Sequence, residues 1–177
     1  DLGGTIVGDQ QQLAHGVVPS APSEGEVVVG TLPGQAIDPG TDAWLLLPAS
    51  DVPANPDTHV NYSFSFDHWH DLESGDGAWV EHRVRNGSSG WSGWTWTDLE
   101  SGYSHYISMG DLDVSGTPSS STIPVFGGDA VSGWVSSSTN LSNISDITTF
   151  TEIQFRFRIV TAATSTGSAG WFLDNIN

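Results

Sequence analysis

Two carboxylates and a glycine share a short turn near the middle of the chain, and this combination suits a hard metal ion. Glu73 and Asp76 lie on either side of Gly75 in the run Glu-Ser-Gly-Asp-Gly. Calcium is held by several oxygen ligands in loops, and Asp42, just before the apolar run that starts at Trp44, is a further candidate ligand. The alternative is that these acids only form turns and caps, because Asp and Gly stabilise a tight turn without any metal.

The tryptophans are the second group of residues whose chemistry suits ligand binding. The chain has eight, and Trp91, Trp94 and Trp96 lie close together, shortly before Tyr103 and Tyr106. Aromatic rings stack on the apolar faces of sugars, and Trp94 and Trp96 fall on one face of a strand, so the cluster is a candidate glycan-binding platform. The alternative, favoured for most of these rings, is that they fill the core of a β-sandwich.

Three histidines could suggest zinc. His68 and His70 point to the same face of a predicted strand, and His82 falls on the next strand along the chain. However, His68 continues a face built from Phe64 and Phe66, which favours a core histidine that donates to a backbone carbonyl.

Signatures of catalysis are missing from the sequence. The chain contains no His-Glu-x-x-His motif, no Gly-x-Ser-x-Gly elbow and no phosphate-binding loop. Glu73 and Glu81 would be the acids of a glycosidase pair, but nothing in the sequence positions them at a cleft. We therefore expect a protein that is not an enzyme.

The charge balance excludes several classes of partner. The 177 residues carry four Arg, no Lys and 21 acidic residues, which gives a formal net charge of -17. Binding to nucleic acid or to anionic membrane surfaces needs clustered cations, so neither is expected. The absence of Cys excludes disulfides and thiol catalysis, and no apolar run is long enough to insert into a membrane.

The hydrophobic pattern predicts strands and almost no helix. Residues 60–70 and 153–160 alternate apolar and polar side chains, as half-buried strands do. Residues 78–84 and 91–99 follow turns and would form a meander with 60–70, whereas 111–121 would be a long loop. Short buried strands are predicted at 27–29 and 44–47, and a final strand is predicted at 171–176. The prediction is an all-β, antiparallel β-sandwich of the jelly-roll type.

Several segments, taken in order, resemble one known family. They are residues 29–32, 42–48, 64–73, 75–81, 133–134, 153–158 and 170–176, with Asp-His-Trp-His-Asp-Leu-Glu and Gly-Trp-Phe-Leu-Asp-Asn-Ile among them. Their order and spacing resemble the MAM-like, concanavalin-type jelly-roll modules of secreted prokaryotic proteins, such as immune-inhibitor-A-type metallopeptidases. The resemblance covers roughly residues 27–177. Residues 1–26 fit it poorly, and the loop at 111–121 belongs to this sequence alone.

The resemblance implies a function and one more ligand. Modules of this type are not catalytic, often hold calcium, and serve in adhesion or carbohydrate binding in secreted or cell-surface proteins. They commonly donate a carboxylate from the last strand to a calcium ion, which implies Asp174 as a ligand beside Asp42, Glu73 and Asp76. The expected partners are glycans or other surface proteins.

A structural role is the alternative. Residues 1–26 contain the apolar pairs Ile6-Val7 and Val17-Val18. A segment of this kind is able to add a strand to the sheet of a neighbouring subunit, as in a filament or surface layer. The chain would then form a homo-oligomer, with residues 27–177 as its jelly-roll domain.

Overall fold

A computed structural model of the chain describes residues 5–7, 28–31, 36–52, 62–108, 122–128, 130–144 and 150–177. Within these residues the chain forms strands, one short 3₁₀ helix and no α-helix. The strands are β1 (Thr5–Val7), β2 (Val28–Gly30), β3 (Asp42–Leu46), β4 (Ser50–Asp51), β5 (Ser63–Asp71), β6 (Gly77–Arg85), β7 (Thr95–Trp96), β8 (His105–Ser108), β9 (Thr122–Val125), β10 (Val135–Asn140), β11 (Glu152–Val160) and β12 (Gly170–Asp174). No described helix is long and apolar enough to cross a membrane.

The strands form two packed sheets and a small third one. The first sheet has the order β1–β2–β12–β5–β10, and the second has the order β3–β11–β6–β7, with β4 also paired to β11. Strands β8 and β9 pair with each other. All described pairings are antiparallel. The chain changes from one large sheet to the other at β2–β3, β4–β5, β5–β6, β10–β11 and β11–β12. The predicted all-β, antiparallel β-sandwich is confirmed, and its jelly-roll topology stays a prediction.

The core forms where the apolar faces of β5 and β11 meet. Alternation places Phe64 and Phe66 of β5 on its inner side and Phe155 and Phe157 of β11 on the facing side, and all four are buried. The rings of Phe64 and Phe155 stack with their centroids 4.0 Å apart. Burial of these rings stabilises the fold as part of a larger core cluster.

The predicted meander is wrong in its first connection. Strand β5 belongs to the first sheet and β6 to the second, so these consecutive strands face each other instead of pairing. The physical reason lies in the connection between them, where Leu72 and Asp76 are almost completely buried and draw the chain across the sandwich. The segment 91–99 contributes only Thr95–Trp96 to the second sheet.

The N-terminal segment is described only at Thr5–Val7. This strand pairs with Val28–Gly30 of its own chain, at the edge of the first sheet. The rest of residues 1–26 and the predicted loop at 111–121 lie outside the described residues.

A buried carboxylate fastens the β5–β6 turn to the loop that precedes β12. Asp76 has none of its surface exposed. Its carboxylate accepts hydrogen bonds from the backbone N–H of Ala162 at 2.9 Å and from the hydroxyls of Ser165 and Ser168 at 3.2 and 2.5 Å. The backbone N–H of Glu73 donates to it as well, at 3.3 Å. A buried charge is tolerated here because several donors converge on it.

We expect Asp76→Asn to lower the free energy of unfolding by about 3 kcal/mol, because an amide turns one acceptor into a donor among buried donors. Urea denaturation followed by tryptophan fluorescence measures this. The exposed Asp38 provides the control, since Asp38→Asn removes the same charge from the surface and should change stability by less than about 0.5 kcal/mol. Equal effects of the two substitutions would contradict the anchoring role of Asp76.

Candidate functional site

All four arginines of the chain lie on the outer face of the second sheet. Strands β6 and β11 pair in register from Gly77 opposite Val160 to Arg85 opposite Glu152. Side chains alternate across a strand, so the register that turns Val80 and Phe157 into the core turns the arginines outward. We call this outer surface the arginine face; it comprises Asp42, Trp44, Trp79, Glu81, Arg83, Arg85, Trp91, Trp94, Glu152, Gln154, Arg156 and Arg158.

Three of the four arginines are paired with carboxylates. Arg85 binds Glu152 across the β6–β11 ladder, and Arg156 binds Glu81 four residues further along it. The hydrogen bond from Arg85 lowers the pKa of the Glu152 carboxyl. Each of these arginines therefore has its charge balanced within the face.

Arg158 is held from the edge of the same sheet. Its Nε and Nη2 donate to the two carboxylate oxygens of Asp42 at 2.9 and 2.7 Å. Its Nη1 lies 3.6 Å from Glu81 Oε1. The hydrogen bond to Asp42 raises the pKa of the Arg158 guanidinium.

Arg83 differs from the other three arginines. Its Nε and Nη2 both donate to Oε1 of Gln154, at 2.9 and 2.6 Å, and Gln154 in turn donates from Nε2 to the backbone carbonyl of Leu47 at 2.7 Å. Among the described residues Arg83 has no carboxylate within ion-pair distance.

Tryptophans alternate with the arginines across this face. The Arg83 guanidinium carbon lies 4.8 Å from the ring centre of Trp91 and 4.7 Å from that of Trp94. Arg85 lies 4.8 Å from the same Trp91 ring, and Arg156 lies 4.3 Å from Trp94. These are cation–π contacts, which hold each guanidinium in a defined orientation.

The predicted Trp cluster therefore does not lie in the core that the two sheets enclose. Trp91, Trp94 and Trp96 are partly buried on the outer side of the second sheet, and Trp96 stacks on Trp79 with the ring centroids 5.1 Å apart. Trp94 and Trp96 share one side of the sheet, as the spacing predicted. Of the eight tryptophans, Trp69, Trp79 and Trp171 are buried. The other five are partly buried or exposed, so most of the tryptophans are not fully buried.

Trp44 is the aromatic residue that the sequence analysis missed. Its side chain is 53% exposed, and its ring centre lies 5.6 Å from the guanidinium carbon of Arg156. The run Trp44-Leu45-Leu46-Leu47 indicated a buried strand, but β3 is at the edge of its sheet, so that one side of it faces outward. The two Arg-x-Arg pairs, 83 with 85 and 156 with 158, were the signal for this face, since such pairs share one side of a strand.

The four predicted calcium ligands lie in three places. Glu73 and Asp76 share the β5–β6 turn, and both carboxylates accept hydrogen bonds from the loop before β12. Thr166 donates to Glu73 from both its hydroxyl and its N–H, and these bonds lower the pKa of the Glu73 carboxyl. Asp42 is at the edge of the arginine face, bound to Arg158.

Asp174 lies apart from the turn. The register of β12 places it opposite Asp67, whereas Gly170 is opposite Asp71, next to the turn. Four residues of strand separate the two positions, or about 13 Å. The Asp67 carboxylate accepts a hydrogen bond from the side-chain amide of Asn175 at 2.9 Å, and the Asn175 N–H donates to Asp174 at 2.8 Å. In the described part of the chain no three His, Asp or Glu side chains form a group able to hold a metal.

The histidines are in the interior, on two different sheets. His68 and His70 are each 1% exposed on the inner side of β5, and their rings stack at 5.6 Å. His82 is on β6 of the opposite sheet, where its Nδ1 shares a 2.9 Å hydrogen bond with the hydroxyl of Thr97. His68 is a core histidine as favoured, but its Nε2 bonds the hydroxyl of Ser137, at 3.2 Å, instead of a backbone carbonyl.

Burial of His68 makes stability dependent on pH. Burial, with a smaller contribution from His70 and against that of Asp67, lowers its pKa from 6.5 to about 3. The unfolded chain therefore binds a proton below pH 6.5 that the folded protein does not bind. As the pH falls from about 6.5 to about 3, the free energy of unfolding decreases by up to roughly 1.4 kcal/mol per pH unit. We expect His68→Phe to flatten this part of the profile, measured by urea denaturation at pH 7, 6, 5 and 4. Ser137→Ala removes the hydrogen bond but keeps the imidazole, so its slope should match that of the parent; a slope unchanged in His68→Phe would contradict the assignment.

Calcium binding stays a prediction, and the separation of the candidate ligands makes it testable residue by residue. We expect chelation with EDTA to lower the melting temperature and added calcium to restore it, because an ion that binds only the folded state stabilises it. Asp174→Asn and Glu73→Gln each remove one carboxylate from a different location, so the variant that loses the calcium response locates the site. A melting temperature unaffected by chelation in the parent protein would overturn the prediction.

The arginine face presents hydrogen-bond donors, hydrogen-bond acceptors and one exposed ring, and its carboxylates Asp42, Glu81 and Glu152 are each paired with an arginine. No protein-family model matches the chain, and no curated protein sequence matches it either. The resemblance to MAM-like modules therefore remains a prediction.

Proposed function

We propose that the protein is a non-catalytic module of a secreted or cell-surface protein that binds saccharide chains on the arginine face. The observation that carries the proposal is the exposed Trp44 ring beside a sheet surface on which guanidinium and carboxylate groups alternate. Such a surface matches a sugar, which has an apolar ring face and hydroxyl groups that both donate and accept.

Trp44 supplies the stacking surface of the proposed site. More than half of its side chain is exposed, although it lies on a strand that is paired along one edge to β11. Its register partner is Arg158, which Asp42 holds in place. A sugar stacked on Trp44 would therefore have donors and acceptors of defined orientation next to it.

Trp91 and Trp94 have a supporting role in this proposal. Two guanidinium groups lie within 5 Å of each ring, so the rings are occupied by intramolecular contacts. By stacking on the arginines they reduce the rotamer freedom that a ligand would otherwise have to remove on binding. Adhesion follows if the saccharide belongs to a cell surface or an extracellular matrix.

The structural alternative is an extracellular assembly joined through residues 1–26. The one described strand of that segment, β1, pairs within its own chain. Light scattering across a concentration series distinguishes the two functions, since an assembly subunit would form higher oligomers.

We expect Trp44→Ala to weaken binding to a saccharide identified on a glycan array by about tenfold or more, because it removes the exposed stacking ring. Calorimetry with the purified saccharide measures the loss. Tyr106→Ala is the matched control, since Tyr106 is 67% exposed on β8 and is not part of the arginine face. The proposal fails if the protein binds no saccharide, or if the two substitutions have the same effect.

A further inference from the structure

We propose that Arg83 is an anion-binding position on the arginine face, so that the preferred saccharides carry a carboxylate or a sulfate group. This inference rests on the proposed function and names the class of saccharide. It derives from a difference between two neighbouring cross-strand pairs on the outer side of the β6–β11 ladder, Arg85 with Glu152 and Arg83 with Gln154. We call each such pair a rung.

The two rungs have the same arrangement and differ by one functional group. Arg85 is opposite Glu152, and Arg83 is opposite Gln154, with all four side chains on the arginine face. In both rungs the Nε and Nη2 groups of the arginine donate to the side chain opposite. Glu152 neutralises its arginine, whereas the amide of Gln154 accepts the same hydrogen bonds and leaves the charge of Arg83 unbalanced.

Arg83 also keeps hydrogen-bond donors for a ligand. A guanidinium has five N–H donors, and the bonds to Gln154 engage the Nε side of the group, which leaves both Nη1 protons and one on Nη2. Trp91 and Trp94, within 5 Å of the guanidinium carbon, set the plane of the group. A planar guanidinium of fixed orientation is the preferred protein group for bidentate binding of an oxyanion.

The surrounding charges make this position selective. The other three arginines have carboxylate partners, and Asp51, opposite Glu152 on β4, adds a further negative charge near Arg85. The chain as a whole has a net charge of -17, which disfavours anions over most of its surface. Among the described residues Arg83 is the arginine at which an oxyanion meets a cation that no carboxylate neutralises. Arg83 is also partly buried, which reduces screening of the contact by solvent.

The test exchanges the functional groups of the two rungs. Gln154→Glu gives Arg83 an internal carboxylate, and Glu152→Gln removes the one that neutralises Arg85. Binding is measured by calorimetry with oligogalacturonate and with its methyl ester, which has the same sugar rings without the charge. A sulfated oligosaccharide and its desulfated form are the second pair, and they show whether carboxylate or sulfate is preferred.

We expect the parent protein to bind the charged member of at least one pair about tenfold more tightly than the neutral member. Gln154→Glu should reduce this preference to about twofold or less, and Glu152→Gln should leave it unchanged or increase it. Loss of folding in a variant would weaken charged and neutral ligands alike and lower the melting temperature, so the preference itself reports on Arg83.

The outcomes separate the two proposals. If the parent protein binds both members of each pair equally, the inference about Arg83 is overturned and saccharide binding stands. If Gln154→Glu keeps the full preference while Glu152→Gln loses it, the anion binds at another arginine and the inference is also overturned. If the parent protein binds no saccharide at all, the proposed function fails, and the assignment of Arg83 fails with it.

Discussion

The nine-residue register between β6 and β11 is the constraint on which both the core and the arginine face depend. It aligns the apolar side chains of both strands toward the first sheet. On the opposite side it places Arg83, Arg85 and Arg156 across from their hydrogen-bonding partners. A slip of one residue would turn Phe157 outward and bring arginines into the core. The same set of backbone hydrogen bonds therefore specifies the folded state and assembles the candidate binding surface.

The sandwich is held at one end by polar contacts in place of covalent links. The chain has no Cys, and the loop before β12 is fixed to the β5–β6 turn by Asp76 and Glu73. Asp76 is buried and binds hydroxyl and N–H donors, whereas Glu73 is near the surface and binds Thr166. Both carboxylates of this turn therefore accept hydrogen bonds from the same loop of the protein.

The charges of the protein are distributed unevenly. The chain has four arginines against 21 acidic residues, and all four arginines lie on the outer side of the second sheet. Placing all four on one sheet, between tryptophans and three carboxylate partners, concentrates the favourable ion pairs and cation–π contacts in one surface. The rung formed by Arg83 and Gln154 is the exception within that surface, because no carboxylate among the described residues pairs with Arg83.

Local patterns in the sequence determined the fold class and the sides of the main strands. The alternation in β5 and β11 correctly predicted Phe64 and Phe157 as core residues and Arg158 as outward-facing, because the side-chain period of a strand is a local property. Only the tertiary structure decided which strands are neighbours. In the structure β5 and β6 belong to different sheets, Asp174 lies away from Glu73, and Trp44 lies at a sheet edge beside Arg156. These outcomes depend on contacts between residues far apart in the chain, which side-chain periodicity does not encode.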